Sequence, residues 1–377
     1  MKKVTFAIAE LKKVLDRLET INSNVSALSV LMNLKVEVTP TSTAFQTSNL
    51  EVTMTDNLDC QSMDNFSMLI DKKGLREIVK DLPDGAIDIE YNEAGNTIRL
   101  ITPAGKFSLG TDEVKEFPVF KENEPTTTIA ITPAVISKLA IANQFVSADK
   151  LRPAMTGVYF HFINDTLRLI ATDAHCLYRS EELAALGIKD LGLIIGSEAV
   201  NTLTKSMYGT DTIMEITAPE NASGYSHAIF KYGKTTLAIR LIDAKFPDYA
   251  AVIPQSENLF CVVAAELRKK IKLAMHTANT TTNHISFGLG NKALTIASAD
   301  KDFSKSSDIE PIEIENQTCP DFDFAFNGKM LDKILAHFPN NLAIVTEGQA
   351  SRAFLFQHRD IENNNNDLFL LMPLIGA

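Results

Sequence analysis

"KVTFAIAELKKVLDRL", residues 3–18, decides how the rest of the chain is read, because its pattern returns twice. A short β-rich run leads into apolar residues at helical spacing, Leu11, Val14, Leu15 and Leu18. "TTIAITPAVISKLAIA" (127–142) and "NLFCVVAAELRKKIKLA" (258–274) open in the same way, which aligns Leu11 with Val135 and Leu267. A second helical pattern follows at a matching offset in "DKKGLREIVKDLPDG" (71–85), "GSEAVNTLTKSMYGT" (196–210) and "FNGKMLDKILAHFPN" (326–340), aligning Leu75, Val200 and Leu331. Both triplets recur roughly every 125 to 130 residues, the usual size of one domain. Two independent markers with one period identify an internal repeat, and a repeat governs the whole fold.

Between the helices lie strand-like runs bounded by turn residues. One run ends alike each time: "FQTSN" at Asn49, "LIATD" at Asp173 and "TIASAD" at Asp300. The order per repeat is β, α, several β, α, several β, which predicts an α+β fold with two helices on one face of antiparallel sheet. The expected domains are 1–124, 125–256 and 257–377, separated by the polar, proline-bearing stretches "KENEPTT" (121–127) and "VIPQSEN" (252–258). "ENNNND" (362–367) reads as a surface loop.

The composition, 45% apolar and 22% charged over 377 residues, is that of a globular protein of two or three domains. Apolar runs fall short of the roughly 20 residues that span a bilayer. Glu10 interrupts the N-terminal apolar stretch, so a signal peptide is not expected and the reading is cytoplasmic. Cys60, Cys176, Cys261 and Cys319 form no CxxC pair, which speaks against a zinc ribbon and a disulfide framework and for free thiols. No metal and no cofactor is expected. The net charge of −11 argues at first against nucleic acid, although charge can be distributed unevenly.

"LRLIATDAHCLYRS" (167–180) is the stretch that most resembles an active site, with Thr172, Asp173, His175 and Cys176 close together. A hydrolase using His175 and Cys176 would need the thiol beside an orienting base, whereas neighbours on a strand point to opposite faces. A metal site lacks a second ligand pair at recognisable spacing. The repeat supplies a plainer account, in which Asp173, equivalent to Asn49 and Asp300, belongs to a turn.

His175 and Cys176 are peculiar to the middle repeat, and there a resemblance becomes visible. "GVYFHF", "IATDAHCL", "KFPDYAAVIP" and the terminal "LMPL" occur in the order and spacing of the bacterial DNA polymerase III beta subunit, the sliding clamp family. The family pattern T-D-G-H-R-L stands here as Thr172, Asp173, Ala174, His175, Cys176 and Leu177. F-P-D-Y-R-R-V stands as Phe246, Pro247, Asp248, Tyr249, Ala250, Ala251 and Val252. The similarity spans the full length, including the triplication.

The resemblance implies a non-enzymatic processivity factor. Two copies of the chain, six domains in all, would close a ring around duplex DNA, with sheets outside and helices lining the hole. It also implies a hydrophobic pocket for linear peptides of the replicative polymerase, the clamp loader and repair proteins. By matched position that pocket comprises Met155, Thr172, Ala174, His175, Cys176, Leu177, Pro247, Ala251, Val252, Asn327, Met330, Ser351, Leu370, Leu371, Met372, Pro373 and Leu374. Ala174 and Cys176 replace the family's glycine and arginine, Ala250 and Ala251 replace two arginines, and "LIGA" replaces a short basic tail. The apolar floor is thus kept and the cationic rim lost.

On the helices that would line the hole, charge runs against the acidic total. Lys72, Lys73, Arg76 and Lys80 face one nearby Glu77, and Arg268, Lys269, Lys270 and Lys272 face Glu266. Lys150 and Arg152 precede Met155, where the family touches DNA. The expected DNA-binding set is Lys72, Lys73, Arg76, Lys80, Lys150, Arg152, Arg268, Lys269 and Lys272, making sequence-independent phosphate contacts to double-stranded DNA. The resemblance places the homodimer contact between Phe107 and Leu109 on one side and Met275, His276 and Thr277 on the other. Three alternatives stand beside this reading: a divergent clamp of a phage or mobile element, the hydrolase using His175 and Cys176, and an oligomeric scaffold that never loads on DNA.

Overall fold

The computed structural model describes residues 1–21, 28–118, 125–183, 190–207, 211–217, 226–338, 341–358 and 366–375. The expected linker at 121–127 and loop at 362–367 lie largely outside the described residues.

The first repeat forms β1 (Lys2–Ala7), α1 (Ile8–Leu18), β2 (Asn33–Val38), β3 (Ser42–Ser48), β4 (Val52–Asp59), β5 (Gln61–Ser62), β6 (Phe66–Asp71), α2 (Lys72–Lys80), β7 (Ala86–Asn92), β8 (Thr97–Thr102) and β9 (Gly105–Asp112). The second forms β10 (Pro125–Ile131), α3 (Pro133–Ala142), β11 (Gly157–Ile163), β12 (Thr166–Thr172), β13 (Cys176–Leu183), β14 (Asp190–Gly196), α4 (Ser197–Ser206), β15 (Thr212–Thr217), β16 (His227–Tyr232) and β17 (Thr235–Arg240). The third forms β18 (Leu259–Val263), α5 (Ala264–Ala274), β19 (His284–Gly290), β20 (Ala293–Asp300), β21 (Lys305–Glu313), β22 (Phe322–Asn327), α6 (Gly328–Leu335), β23 (Asn341–Val345), β24 (Phe354–His358) and β25 (Leu368–Leu371). Apart from the two-residue β5, one order of elements is written three times.

The aligned residues explain why. Leu11, Val135 and Leu267 are buried on α1, α3 and α5, and Leu75, Val200 and Leu331 are buried on α2, α4 and α6. Each helix hides one apolar stripe, as Ile8, Leu11, Val14, Leu15 and Leu18 do on α1. Side chains cap the starts of α2 and α6. Asp71 accepts from the amides of Lys73 (3.2 Å) and Gly74 (3.0 Å) ahead of α2, and Asn327 does the same for Lys329 (3.1 Å) and Met330 (3.2 Å) ahead of α6.

The chain divides into two compact units, Met1–Ala140 with Ile195–Asp243 and Ile141–Ile194 with Ala244–Ala377. These cut across the expected boundaries, because strands of the middle repeat extend the sheets of its neighbours. In the first unit a 13-stranded sheet runs β10-β15-β16-β17-β4-β3-β2-β6-β9-β8-β7-β1-β5, with β17 antiparallel to β4 from Thr235↔Asp56 to Ile239↔Val52. The second unit is built on an 8-stranded sheet, β14-β11-β12-β13-β25-β24-β23-β18, and a 4-stranded one, β21-β20-β19-β22. There β13 pairs with β25 from Cys176↔Leu371 to Arg179↔Leu368.

Candidate functional site

The cluster at 172–177 is built on a turn. β12 ends at Thr172 and β13 begins at Cys176, so Asp173, Ala174 and His175 carry the chain round. The Asp173 carboxylate accepts from the amides of His175 (2.9 Å) and Cys176 (2.7 Å), and the Thr172 hydroxyl donates to the Cys176 carbonyl (2.7 Å). Asn49 accepts likewise from Glu51 (3.2 Å) and Val52 (2.8 Å), and Asp300 from Asp302 (3.2 Å). The acid therefore shapes a turn, as the repeat led us to expect.

The C-terminal strand closes on this turn. Cys176 lies opposite Leu371 and Leu177 opposite Leu370 in the ladder. Past the strand, the Met372 amide donates to the His175 carbonyl (2.8 Å) and the Leu374 amide to the Ala325 carbonyl on β22 (2.8 Å). β22 ends at Asn327, which caps the helix bearing Met330. One hydrogen-bonded neighbourhood thus joins Thr172, Ala174, His175, Cys176, Leu177, Asn327, Met330 and Leu370 to Leu374. Cys176, Leu177, Leu370, Leu371 and Pro373 are buried in it, Met330, Met372 and Leu374 are half-buried, and Ala174 and His175 are exposed.

Five expected pocket residues stand on other supports. Pro247, Ala251 and Val252 belong to the segment after β17, anchored where Phe246 stacks on Tyr159 (4.6 Å). Met155 is half-buried in a short 3-10 turn, Pro153–Met155, its carbonyl accepting from Ser147 (2.8 Å). Ser351 is exposed between β23 and β24. Among the described residues, the hydrogen bonds and ring contacts do not tie these five to the turn.

The Cys176 thiol is a poor nucleophile. Burial, reinforced by the Asp173 charge, pushes the Cys176 thiol up to about 12, so thiolate is scarce at neutral pH. The His175 ring has no hydrogen-bond partner among the described residues. No group of three His, Cys, Asp or Glu among them could hold a metal ion.

The expected DNA-binding cations separate into three kinds. Lys72 corrects the expectation: it is buried and its ammonium donates to the Ile21 carbonyl (3.0 Å), burial holding its pKa below the ordinary lysine value. As the first residue of α2, directly after the cap, it points into the fold while Lys73 points out. Arg76 and Arg268 are neutralised by acids on neighbouring helices, Asp16 (3.1 Å) and Asp332 (2.7 Å), partners that a count of local charge overlooks. Lys73, Lys80, Lys150, Arg152, Lys269 and Lys272 are exposed, with only weak pairs: Lys73 to Glu77 (3.9 Å), Arg152 to Asp149 (3.6 Å) and Lys272 to Asp332 (4.0 Å).

Phe107 and Leu109 are half-buried on β9. That strand pairs with β8 throughout but meets β6 only at Leu69↔Asp112 and Ile70↔Thr111. Residues 105–110 therefore present an open edge among the described residues, a template for a further strand. Met275 is half-buried at the end of α5 and His276 is exposed, while the Thr277 hydroxyl is satisfied internally by Ala274 (3.2 Å), Ser298 (2.8 Å) and Ser307 (2.7 Å).

Residues 4–121 match the DNA polymerase III beta subunit, N-terminal domain, and residues 130–248 match its central domain, together more than half of the chain. The chain belongs to the DNA polymerase III beta subunit family. The "Beta sliding clamp" of Caulobacter vibrioides is 24% identical over 353 residues, 87% of this chain and 88% of that protein. That of Rickettsia bellii is 22% identical over 360 residues, 92% of each. Among solved structures, a DNA polymerase sliding clamp from Pseudomonas aeruginosa superposes with a TM-score of 0.90 at 20% identity, over 99% of this chain and all of that one. Another from Bacillus subtilis gives 0.87 at 20% identity over the whole of both chains. The fold is that of these clamps.

Where the resemblance would set a glycine in this turn, the chain carries Ala174. Ala174 has φ +76°, the left-handed region that a Cβ disfavours. The Asp173 and Thr172 hydrogen bonds hold the turn in spite of it.

Proposed function

We infer that this beta subunit homologue is a DNA sliding clamp, a processivity factor that encircles duplex DNA and tethers the replicative polymerase without doing chemistry. The family match over residues 4–121 and 130–248 carries that reading. The expected domains, 1–124, 125–256 and 257–377, are three copies of one clamp fold, and the threefold element order supports them. Two copies close the ring, the open edge at 105–110 with Phe107 and Leu109 meeting the region of Met275, His276 and Thr277 on a second copy. The exposed lysines of α2 and α5 contact phosphates weakly and without reading sequence, which lets a ring slide.

The peptide site is the neighbourhood of Thr172 to Leu177 and Leu370 to Leu374, with Asn327 and Met330, bounded by Met155, Pro247, Ala251, Val252 and Ser351. Its buried aliphatic strands and exposed His175 rim suit a mostly apolar site with few polar groups. Linear motifs of the polymerase and the clamp loader dock there, and holding a partner on a ring around DNA makes its rebinding effectively intramolecular. The site of action is the cytoplasm. The inert Cys176 thiol gives the hydrolase reading no support, and the relatives named above, all bacterial, do not favour a phage clamp.

Solution mass together with retention on DNA tests the reading. A dimer held on closed circular DNA after loading, and lost when the circle is cut, is expected. A monomer at micromolar concentration with no topological retention would refute it.

A further inference from the structure

After β17 the chain crosses to β18 without a strand, and a 3-10 turn, Ala250–Val252, carries Ala251 and Val252 to the surface. Phe246 and Tyr249 are each only 8% exposed, whereas Val252 is 47% exposed. Two rings therefore anchor the segment so that its last residues can be presented.

The anchor is a platform on three strands. Tyr159 and His161 lie two apart on β11 and share a face, and Arg168 on β12 is the ladder partner of His161. Phe246 stacks on Tyr159 at 4.6 Å and 8°, and Tyr159 can lie there because Gly192 on β14 offers no Cβ to meet its hydroxyl. The Tyr249 hydroxyl is 2.8 Å from His161 Nδ1, and His161 Nε2 is 3.1 Å from the Asp190 carboxylate. With the imidazole neutral, Tyr249 donates to Nδ1 and Nε2 donates to Asp190. Arg168, held by Glu181 at 3.1 Å, reaches the same hydroxyl at 3.5 Å.

We propose that His161 is a positioning residue for the peptide site: through Tyr249 it fixes residues 246–252 so that Ala251 and Val252 stand as a preformed rim. The proposal rests on the peptide-site reading above. A rim ordered in advance spares the ligand the cost of ordering it. Asp190 holds the ring at Nε2 and Arg168 approaches the Tyr249 hydroxyl, so that hydroxyl is fixed by the imidazole and the guanidinium together.

The chain is titrated with griselimycin, which is bound in another solved sliding clamp from Pseudomonas aeruginosa, with thermal melting as a check on folding. His161→Ala and Tyr249→Phe should each weaken binding about fivefold and add little to each other, as expected of a coupled pair. His161→Asn, whose carbonyl can take the place of Nδ1, should restore affinity. Wild-type affinity in His161→Ala and Tyr249→Phe, or no recovery in His161→Asn, overturns the proposal. Deleting Met372 to Ala377 separates the two readings. If the deletion weakens binding and the His161 variants do not, the positioning role fails alone; if the deletion also binds normally, the peptide-site reading falls and takes the proposal with it.

Discussion

Reversing Lys73, Lys80, Lys269 and Lys272 to glutamate tests whether the helix faces of α2 and α5 meet DNA. These are the exposed lysines of the two helices whose charge is least compensated, whereas Lys72 is buried and Arg268 is paired with Asp332 at 2.7 Å. Each phosphate contact contributes about 0.9 to the slope of log affinity against log salt, so losing four lowers the slope by about 3.5. Between roughly 50 and 200 mM salt the wild type should then lose on the order of a hundredfold more affinity than the variant. Fluorescence anisotropy on a short linear duplex, which a ring can thread from its ends, reads this without a loader. Lys72→Met is the internal control and should leave the slope unchanged, because its ammonium is committed to the Ile21 carbonyl. Equal slopes in wild type and the fourfold variant, or a larger change in Lys72→Met, would refute the assignment.

Four further outcomes follow from the turn and the C-terminal strand. Ala174→Gly relieves the left-handed conformation at φ +76° and should raise stability by about 0.5–1 kcal/mol, seen as a higher melting temperature; a lower one would show that the turn is not strained. Deleting Met372 to Ala377 removes the two backbone bonds to His175 and Ala325 and should weaken peptide binding at least tenfold, about 2 kcal/mol. Cys176→Ala should change that binding far less, since the thiol acts as a small buried filler. With its thiol pushed up to about 12, Cys176 is protonated below that pH and should resist alkylation at pH 8 while half-exposed Cys60 reacts; rapid labelling of native Cys176 would contradict its burial.

What the sequence made legible was what repeats or alternates. The triplets Leu11/Val135/Leu267 and Leu75/Val200/Leu331 located six helices because one buried face demands apolar residues at fixed spacing. Asn49, Asp173 and Asp300 were legible as turn-formers for a similar reason, since a short side-chain acceptor performs the same local task in each copy. Pairing between distant segments was not. Nothing near Arg76 or Arg268 announces Asp16 or Asp332, because those acids arrive on other helices. Lys72 looked like one of a cluster of cations, and only its place beside the cap turns it inward. The union of β13 with β25 escaped a reading in separate domains, since strand periodicity tells which face is buried and not which edge is joined.

The pairing of β4 with β17 has a consequence for the chain as it is made. Asp56 and Thr235, which meet across that seam at 3.1 Å, are 179 residues apart. At a synthesis rate of about 5–20 residues per second, β4 would emerge on the order of 10 to 40 seconds before its neighbour exists. Throughout that interval its edge stays open to any other nascent strand, and β13 waits in the same way for β25. The charged and polar residues along the seam, Asp56 on one strand and Thr235 on the other, suit that wait: a buried carboxylate that needs Arg17 and Thr235 is poorly matched by a wrong partner. The ribosome's pace, and not only the finished fold, is a condition under which this sequence must work.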